Sequence, residues 1–325
     1  PLDDYRLKVL RAASRGKLTR PDRYHVVEAD FDADAGLLGH AADGCDVVFH
    51  AAAIRDRWNT SMEEYRRANV DGTRRLLDAA VGRARRFVYV SSVGVLGHPG
   101  VLGIDESFPV NTHSGKVGYH STKAEAEALV RERGGEIEAV VARPTITYGP
   151  GDRDGMVTRL AGMIARGRFV RVGRGANHVH LTYIDDMVRG LTLTAMHAAA
   201  PGETFILAGP RSIAIHDLIA LIEQALGVAP RTAYIPEGVA RPVAWAVERL
   251  YRLASLVRGR ADCPPLTRDK IDTLCVHRGF SSAKAERLLG YAPRVGYEEG
   301  LPQTFAWMAE QGFLKPSPSC APVRA

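Results

Sequence analysis

A doubly wound α/β fold, a parallel sheet with helices on both faces, is predicted by three observations. Valine-rich runs alternate with helical segments of ten or more residues through the first half of the chain, the rhythm of a covered parallel sheet. One of those runs, "CDVVFHAAA", is apolar on both sides, as a strand sandwiched between helices must be. The 325 residues are 46% hydrophobic and 25% charged, which suffices for one large domain or two intimate ones around a substantial core.

The elements follow in order. "YRLKVLR" and "HVVEADF" read as the first two strands, then "DADAGLLGHAADG" as a short helix with a glycine stop, then "CDVVFHAAA" as the third strand. "SMEEYRRANVDGTRRLLDAAVGR" reads as one long helix, "RFVYVSS" as a strand, Tyr119 to about Arg133 as a helix, and "EAVVARPTITYG" as the next strand. Beyond "TYGPGDRDG" glycine and proline cluster and the rhythm loosens. The expected organisation is a sheet domain over 1–148, a mostly helical region over 149–315 with some segments returning to the sheet, and a flexible tail over 316–325.

Charge and cysteine usage narrow the classes of function. The net charge of +6 comes with acids and bases interspersed and no nucleic-acid-binding motif, so a nucleic-acid partner is not expected. Cys45, Cys263, Cys275 and Cys320 lie far apart without a Cys-x-x-Cys, and His178 and His180 lack a third ligand, so neither a disulfide framework nor a metal site is expected. No apolar run is long enough to span a bilayer and residue 1 opens no signal peptide, which points to a cytoplasmic protein. In "VARPVAWAVERLYRLASLV", Val243, Val247, Leu250, Leu253 and Val257 form a helical stripe, with Arg249 and Arg252 off it and Trp245 and Tyr251 at hand. Such a stripe packs on the protein's own core or, as a lid or surface helix, meets an apolar substrate or lipid; a peripheral membrane contact is therefore one expectation.

The chemistry gathers in "VGYHSTKAEAEALV". Tyr119 and Lys123 are four residues apart and share one helix face, so the ammonium can sit near the phenol oxygen. A phenol titrates near pH 10, and a neighbouring cation favours the phenolate and makes proton exchange feasible at neutrality. Upstream, Ser91 and Ser92 end a strand, where ligands of open parallel sheets bind, and a hydroxyl there can orient a carbonyl or alcohol toward the phenol.

Taken in order, "VVEADF", "DVVFHAAA", "NVDGTRRLLDAA", "FVYVSS", "YHSTK", "ARPTITYGPGD" and "LTYIDDMVRG" resemble the extended short-chain dehydrogenase/reductases, the epimerase/dehydratase superfamily, along nearly the whole chain. The resemblance implies a Rossmann-like sheet, a nicotinamide cofactor and a catalytic set of Ser92, Tyr119 and Lys123 with Asn69 as a fourth member. Tyr119 would exchange a proton with the substrate oxygen, and Lys123 would also hold the nicotinamide ribose. Asp30 and Phe31 match the pair beside adenine, Ala51, Ala52 and Ala53 the strand end along the cofactor, and Pro144 and Thr145 the turn near the nicotinamide. The family's Gly-x-x-Gly-x-x-Gly loop, expected before "YRLKVLR", is not in these residues, nor is the strand leading to it; a truncated chain or misplaced start is the expected reason.

Val93 and Gly94 stand where sugar dehydratases of this superfamily carry an Asp-Glu pair, so dehydration is not expected. The tail block from Pro264 to Met308, together with "GYHSTKAEAEALV", resembles the 3β-hydroxysteroid and sterol-4-carboxylate dehydrogenases; Leu96, where many nucleotide-sugar enzymes have tyrosine, points the same way. The implied reaction interconverts a secondary alcohol and a ketone on an apolar, steroid-like or polyketide-like substrate. A nucleotide-sugar epimerase or reductase, and a non-catalytic dinucleotide-binding scaffold or sensor, are the alternatives. Arg11 ends the first strand where an NAD-selective site presents an acid, so NADP is expected over NAD. A homodimer through the helices of Asn69 and Tyr119 is the assembly that the resemblance implies.

Overall fold

A computed structural model describes residues 7–11, 24–28, 35–55, 60–97, 99–111, 118–230, 234–258, 264 and 267–314. Asp30, Phe31, Cys263, Cys320 and the expected tail lie outside the described residues.

Four parallel strands form the central sheet: β3 (Val47–His50), β4 (Arg86–Val90), β5 (Glu138–Pro144) and β10 (Thr204–Leu207), in the order β10-β5-β4-β3. A separate parallel pair joins β1 (Leu7–Arg11) to β2 (Tyr24–Glu28). Alternation along β4 feeds two cores. Phe87 and Tyr89 pack with Leu38, Leu76, Leu77, Leu129 and Val130 from α1 (Ala35–Ala42), α3 (Gly72–Ala80) and α4 (Tyr119–Glu132). Val88 faces the other way, toward Met187, Leu289 and Tyr291 at α6 (Ile184–Met196) and α10 (Ala283–Leu289). The sheet is therefore covered on both faces, each fully buried Leu, Val or Phe contributing about 1.5–3 kcal/mol.

The second region holds α5 (Met156–Ala165), α7 (Ile215–Leu226), α8 (Glu237–Arg258), α9 (Arg268–Cys275) and α11 (Tyr297–Glu310). Its core, including Leu160, Phe169, Leu218, Ile222, Leu301 and Phe305, is fed by α5, α7 and α11. Short strand pairs tie it together: β6 (Ile146–Tyr148) with β9 (Leu181–Tyr183), β8 (His178–Val179) with β11 (Ile213–Ala214), and β7 (Arg171–Val172) with β12 (Tyr234–Ile235). The strand expected over "EAVVARPTITYG" is split at Thr145 into β5, which stays in the central sheet beside β10, and β6, which leaves it to pair with β9.

Three local expectations are refined. The strand "CDVVFHAAA" is covered only in part: β3 is the edge of the described four-stranded sheet, Val47 and Val48 are half-buried against the cores on the two faces, and Phe49 is 43% exposed. The long helix starts at α2 (Met62–Arg66) with a Ser61/Glu64 capping box, then opens into one wide i to i+5 turn over Arg67–Asp71 before α3. Asn69 lies in that turn, its side chain hydrogen-bonded to the Ile54 backbone outside the helix. Of the two readings of the stripe on α8, the structure fits the surface helix: Val243, Leu250 and Leu253 are exposed and Val247 is half-buried.

Arg86 shows how charge is accommodated inside. It is 1% exposed, pairs with Glu138 at 2.8 Å, and donates to the Thr194, Ala195 and His197 carbonyls at 3.2, 2.5 and 2.9 Å. Those carbonyls end α6, so the guanidinium satisfies orphan acceptors at the negative end of a helix dipole.

Candidate active site

The carboxyl ends of β3, β4 and β5 meet the first turns of α4, and most of the residues singled out in the sequence come together there. α4 opens at Gly118, whose φ of +125° suits glycine, and an added Cβ would lie 2.7 Å from the Tyr65 ring. Tyr119 is therefore the first helical residue, half-buried. One turn later Lys123 is 1% exposed, donates to the Val90 carbonyl at 2.6 Å, and lies 4.1 Å from the Tyr89 ring centroid.

The two serines at the end of β4 take different jobs. Ser91 is buried and donates to Glu127 at 2.5 Å. Ser92 is half-buried and accepts from the Gly94 N–H at 3.0 Å, capping the short turn Val93–Leu96; that bond uses an oxygen lone pair and leaves the hydroxyl hydrogen for a ligand. Gly94 in turn abuts α4: an added Cβ would collide with the His120 imidazole, so only glycine lets the Ser92 turn approach the residue next to Tyr119. The His120 ring lies tilted against that of Tyr119, centroids 5.0 Å apart.

Asn69 is 1% exposed and acts as a clamp. Its Oδ1 accepts from the Ile54 N–H at 2.8 Å, and its Nδ2 donates to the Ile54 carbonyl and the Thr122 hydroxyl, each at 3.1 Å. It thus ties the segment after β3 to α4 between Tyr119 and Lys123. On that segment Ala51 and Ala52 are exposed and Ala53 is half-buried, which leaves the end of β3 open to a ligand. Pro144 closes β5, half-buried; Thr145 is buried, its hydroxyl 2.6 Å from that of Thr182 and its N–H donating to Leu207 at 3.1 Å. Arg11 closes β1, in register with Glu28.

Burial sets the electrostatics. The Lys123 ammonium is lowered to about 7, by desolvation first and against the opposing pull of Glu127. Among the described residues it makes no ion pair. His50, buried at the end of β3 with Nε2 2.9 Å from the Thr73 hydroxyl, is pushed down to about 3 by burial and then by the Lys123 charge, so it stays a neutral neighbour. Tyr89 is pushed well above the ordinary phenol range by burial, then by Glu127 and Tyr119, and its neutral ring faces the lysine.

One group of buried charges was missed in the sequence. Glu127, 0% exposed and one turn beyond Lys123, receives Arg143 Nε at 3.0 Å and Nη2 at 2.8 Å, Ser91 at 2.5 Å and Arg131 at 2.9 Å. This fork joins the ends of β4 and β5 to α4 directly beneath the lysine. The signal was present: an arginine in the apolar strand "EAVVARP" has to find a buried partner, and Glu127 shares a helix face with Lys123.

A nicotinamide dinucleotide fits the described half of this site. Lys123 is a desolvated amine without a carboxylate in ion-pair contact among the described residues, suited to ribose hydroxyls, and the small side chains after β3 leave that strand end open. Comparison with known proteins agrees. The model of the NAD dependent epimerase/dehydratase family matches residues 4–208. A 2-alkyl-3-oxoalkanoate reductase of Stenotrophomonas maltophilia is 35% identical over 279 residues, 83% of this chain and 82% of that protein. The 3beta-hydroxysteroid-dehydrogenase/decarboxylase isoform 1 of Arabidopsis thaliana is 30% identical over 304 residues, 89% of this chain and 68% of that protein. In fold, the chain matches UDP-glucuronic acid 4-epimerase from Bacillus cereus, solved in complex with NAD, with a TM-score of 0.71 at 20% identity, covering 94% of this chain and 90% of that one. The chain is a member of the NAD-dependent epimerase/dehydratase family, an enzyme with a nicotinamide dinucleotide cofactor.

Proposed function

We propose that the enzyme interconverts a secondary alcohol and a ketone on an apolar substrate, steroid-like or polyketide-like. The observation that carries this reading is the convergence at the end of β4: Lys123 is bound to the Val90 carbonyl, Ser92 lies two residues on, and Tyr119 stands one turn before Lys123 on the same helix. The cofactor supplies or accepts hydride. Ser92 donates its free hydroxyl hydrogen to the substrate oxygen, and Tyr119 exchanges the proton with that oxygen. Lys123 holds the ribose and, when charged, favours the phenolate of Tyr119. Asn69 keeps α4 against the segment after β3.

The apolar substrate is supported by relatives named for 3-oxoalkanoate and 3β-hydroxysteroid chemistry and by Leu96, an apolar residue closing the turn that Ser92 caps. NADP is preferred over NAD in this reading because Arg11 closes β1. The reading also includes a homodimer and a cytoplasmic location; no described helix is long and apolar enough to cross a membrane.

The test is turnover with hydrophobic ketones and alcohols, run with NADP and with NAD. Tyr119→Phe is expected to lower kcat by roughly 10²–10⁴-fold with the fold intact. Interconversion of UDP-sugars without net redox change, as the only activity, would sink the proposal.

A further inference from the structure

We propose that α8 and the neighbouring β7/β12 edge form a docking surface for an anionic lipid bilayer. On α8, Val239, Val243, Leu250 and Leu253 follow one another at four, seven and three residues, a single helical stripe, and the two leucines are 64% and 62% exposed. The opposite side of the helix is the packed one: Ala240 and Ala244 are buried against Ile271, Cys275 and Val172. The apolar face therefore points away from the protein. It continues onto the strand pair leading into the helix, where Tyr234 and Ile235 are exposed opposite Arg171 and Val172, and Val170 beside them is exposed as well.

Charge identifies the occupant. Both acids of α8 are engaged: Glu237 accepts from Arg241 at 2.7 Å, and Glu248 is buried, binding the Arg268 backbone N–H at 2.7 Å. Arg249 stays on the outer side, 5.4 Å over the half-exposed Trp245 ring, an arrangement suited to a membrane interface. The segment entering β7, "RGRFVRVGR", carries four arginines and no acid; Arg171 is paired with Glu223, while Arg166, Arg168 and Arg174 are exposed without a carboxylate partner among the described residues. An exposed apolar stripe with a basic rim is the pattern of an interfacial helix on anionic lipid. A second copy of the chain fits less well, because a two-fold contact would set arginine against arginine.

The test is co-sedimentation of the 325-residue chain with phosphatidylcholine vesicles, with and without phosphatidylglycerol. Expected are binding tighter by about tenfold or more with phosphatidylglycerol, weakening in high salt, and a loss of about tenfold or more in Leu250→Glu/Leu253→Glu with unchanged thermal unfolding. Arg166→Glu/Arg168→Glu should erase the preference for phosphatidylglycerol, and Tyr119→Phe should bind like the parent, so that this inference and the catalytic reading fail separately. No binding, equal binding to both vesicles, or undiminished binding by the leucine variant would overturn it. So would a parent dimer that the leucine variant converts to a monomer, which would assign the face to self-association.

Discussion

Around the first turns of α4, Lys123, Glu127 and Arg143 are charged and at most 2% exposed, whereas on α8 Leu250 and Leu253 are apolar and more than 60% exposed. Both regions depart from the ordinary partition of polar and apolar groups, in opposite senses. The inner charges are tolerable because Glu127 and Arg143 make a bidentate pair and Ser91 occupies further acceptor capacity. Lys123 gets only a carbonyl and an aromatic face, and the result is a cation whose proton is loosely held. The outer leucines have no such compensation within the described protein, and their exposure is relieved only by something that covers them.

The largest effect expected from probing this contrast is at Glu127. Glu127→Ala leaves Arg143 buried without a counter-charge and should destabilise the fold by about 3–5 kcal/mol in urea denaturation, with much of that loss absent from the double replacement Glu127→Gln/Arg143→Met. A single variant as stable as the parent would show that the pair is not desolvated.

Lys123 comes next. Its ammonium is lowered from 10.5 to about 7 by burial, so between those values the unfolded chain holds a proton that the folded chain has released. Stability therefore rises with pH across that window: the cost of burying the cation is complete below about 7 and gone above 10.5. Unfolding free energies of the parent minus those of Lys123→Met, measured in the absence of cofactor from pH 6 to 9.5, should climb by a few kcal/mol. A flat difference would mean that water reaches the ammonium.

The smallest effect is on the outer face. Leu250→Ser should change the unfolding free energy by no more than about 0.5 kcal/mol. Leu77→Ala, at a fully buried position of the sheet core, should cost about 2–5 kcal/mol. Comparable losses for the two would reveal that α8 is covered in solution.

Much of this was legible in the letters. The alternation of valine-rich strands with helices gave the sheet, the four-residue spacing placed Tyr119 and Lys123 on one face of a helix ending at Glu132, and the order of motifs led to the family. Less legible were the partners. Ser91 and Ser92 are adjacent and chemically identical, and only their surroundings make one a ligand of Glu127 and the other a cap with a free hydrogen. Asn69 bonds Ile54 and Thr122, 15 and 53 residues away, which no local periodicity encodes.

The stripe on α8 draws the division most clearly. Helical period and amphipathic pattern follow from residue type and backbone geometry, so the sequence by itself determined that Val243, Leu250 and Leu253 share a face, as it determined the strand–helix alternation and the Tyr–Lys pair. Which way that face turns depends on what competes for it. The tertiary structure decided it, because Ala240 and Ala244 allow close packing on Ile271 and Cys275 and so fix the inner side of the helix. The same holds for the pairing of Glu127 with Arg143 and the open edge of β3: burial and partnership are properties of neighbours in space, set only when distant segments meet.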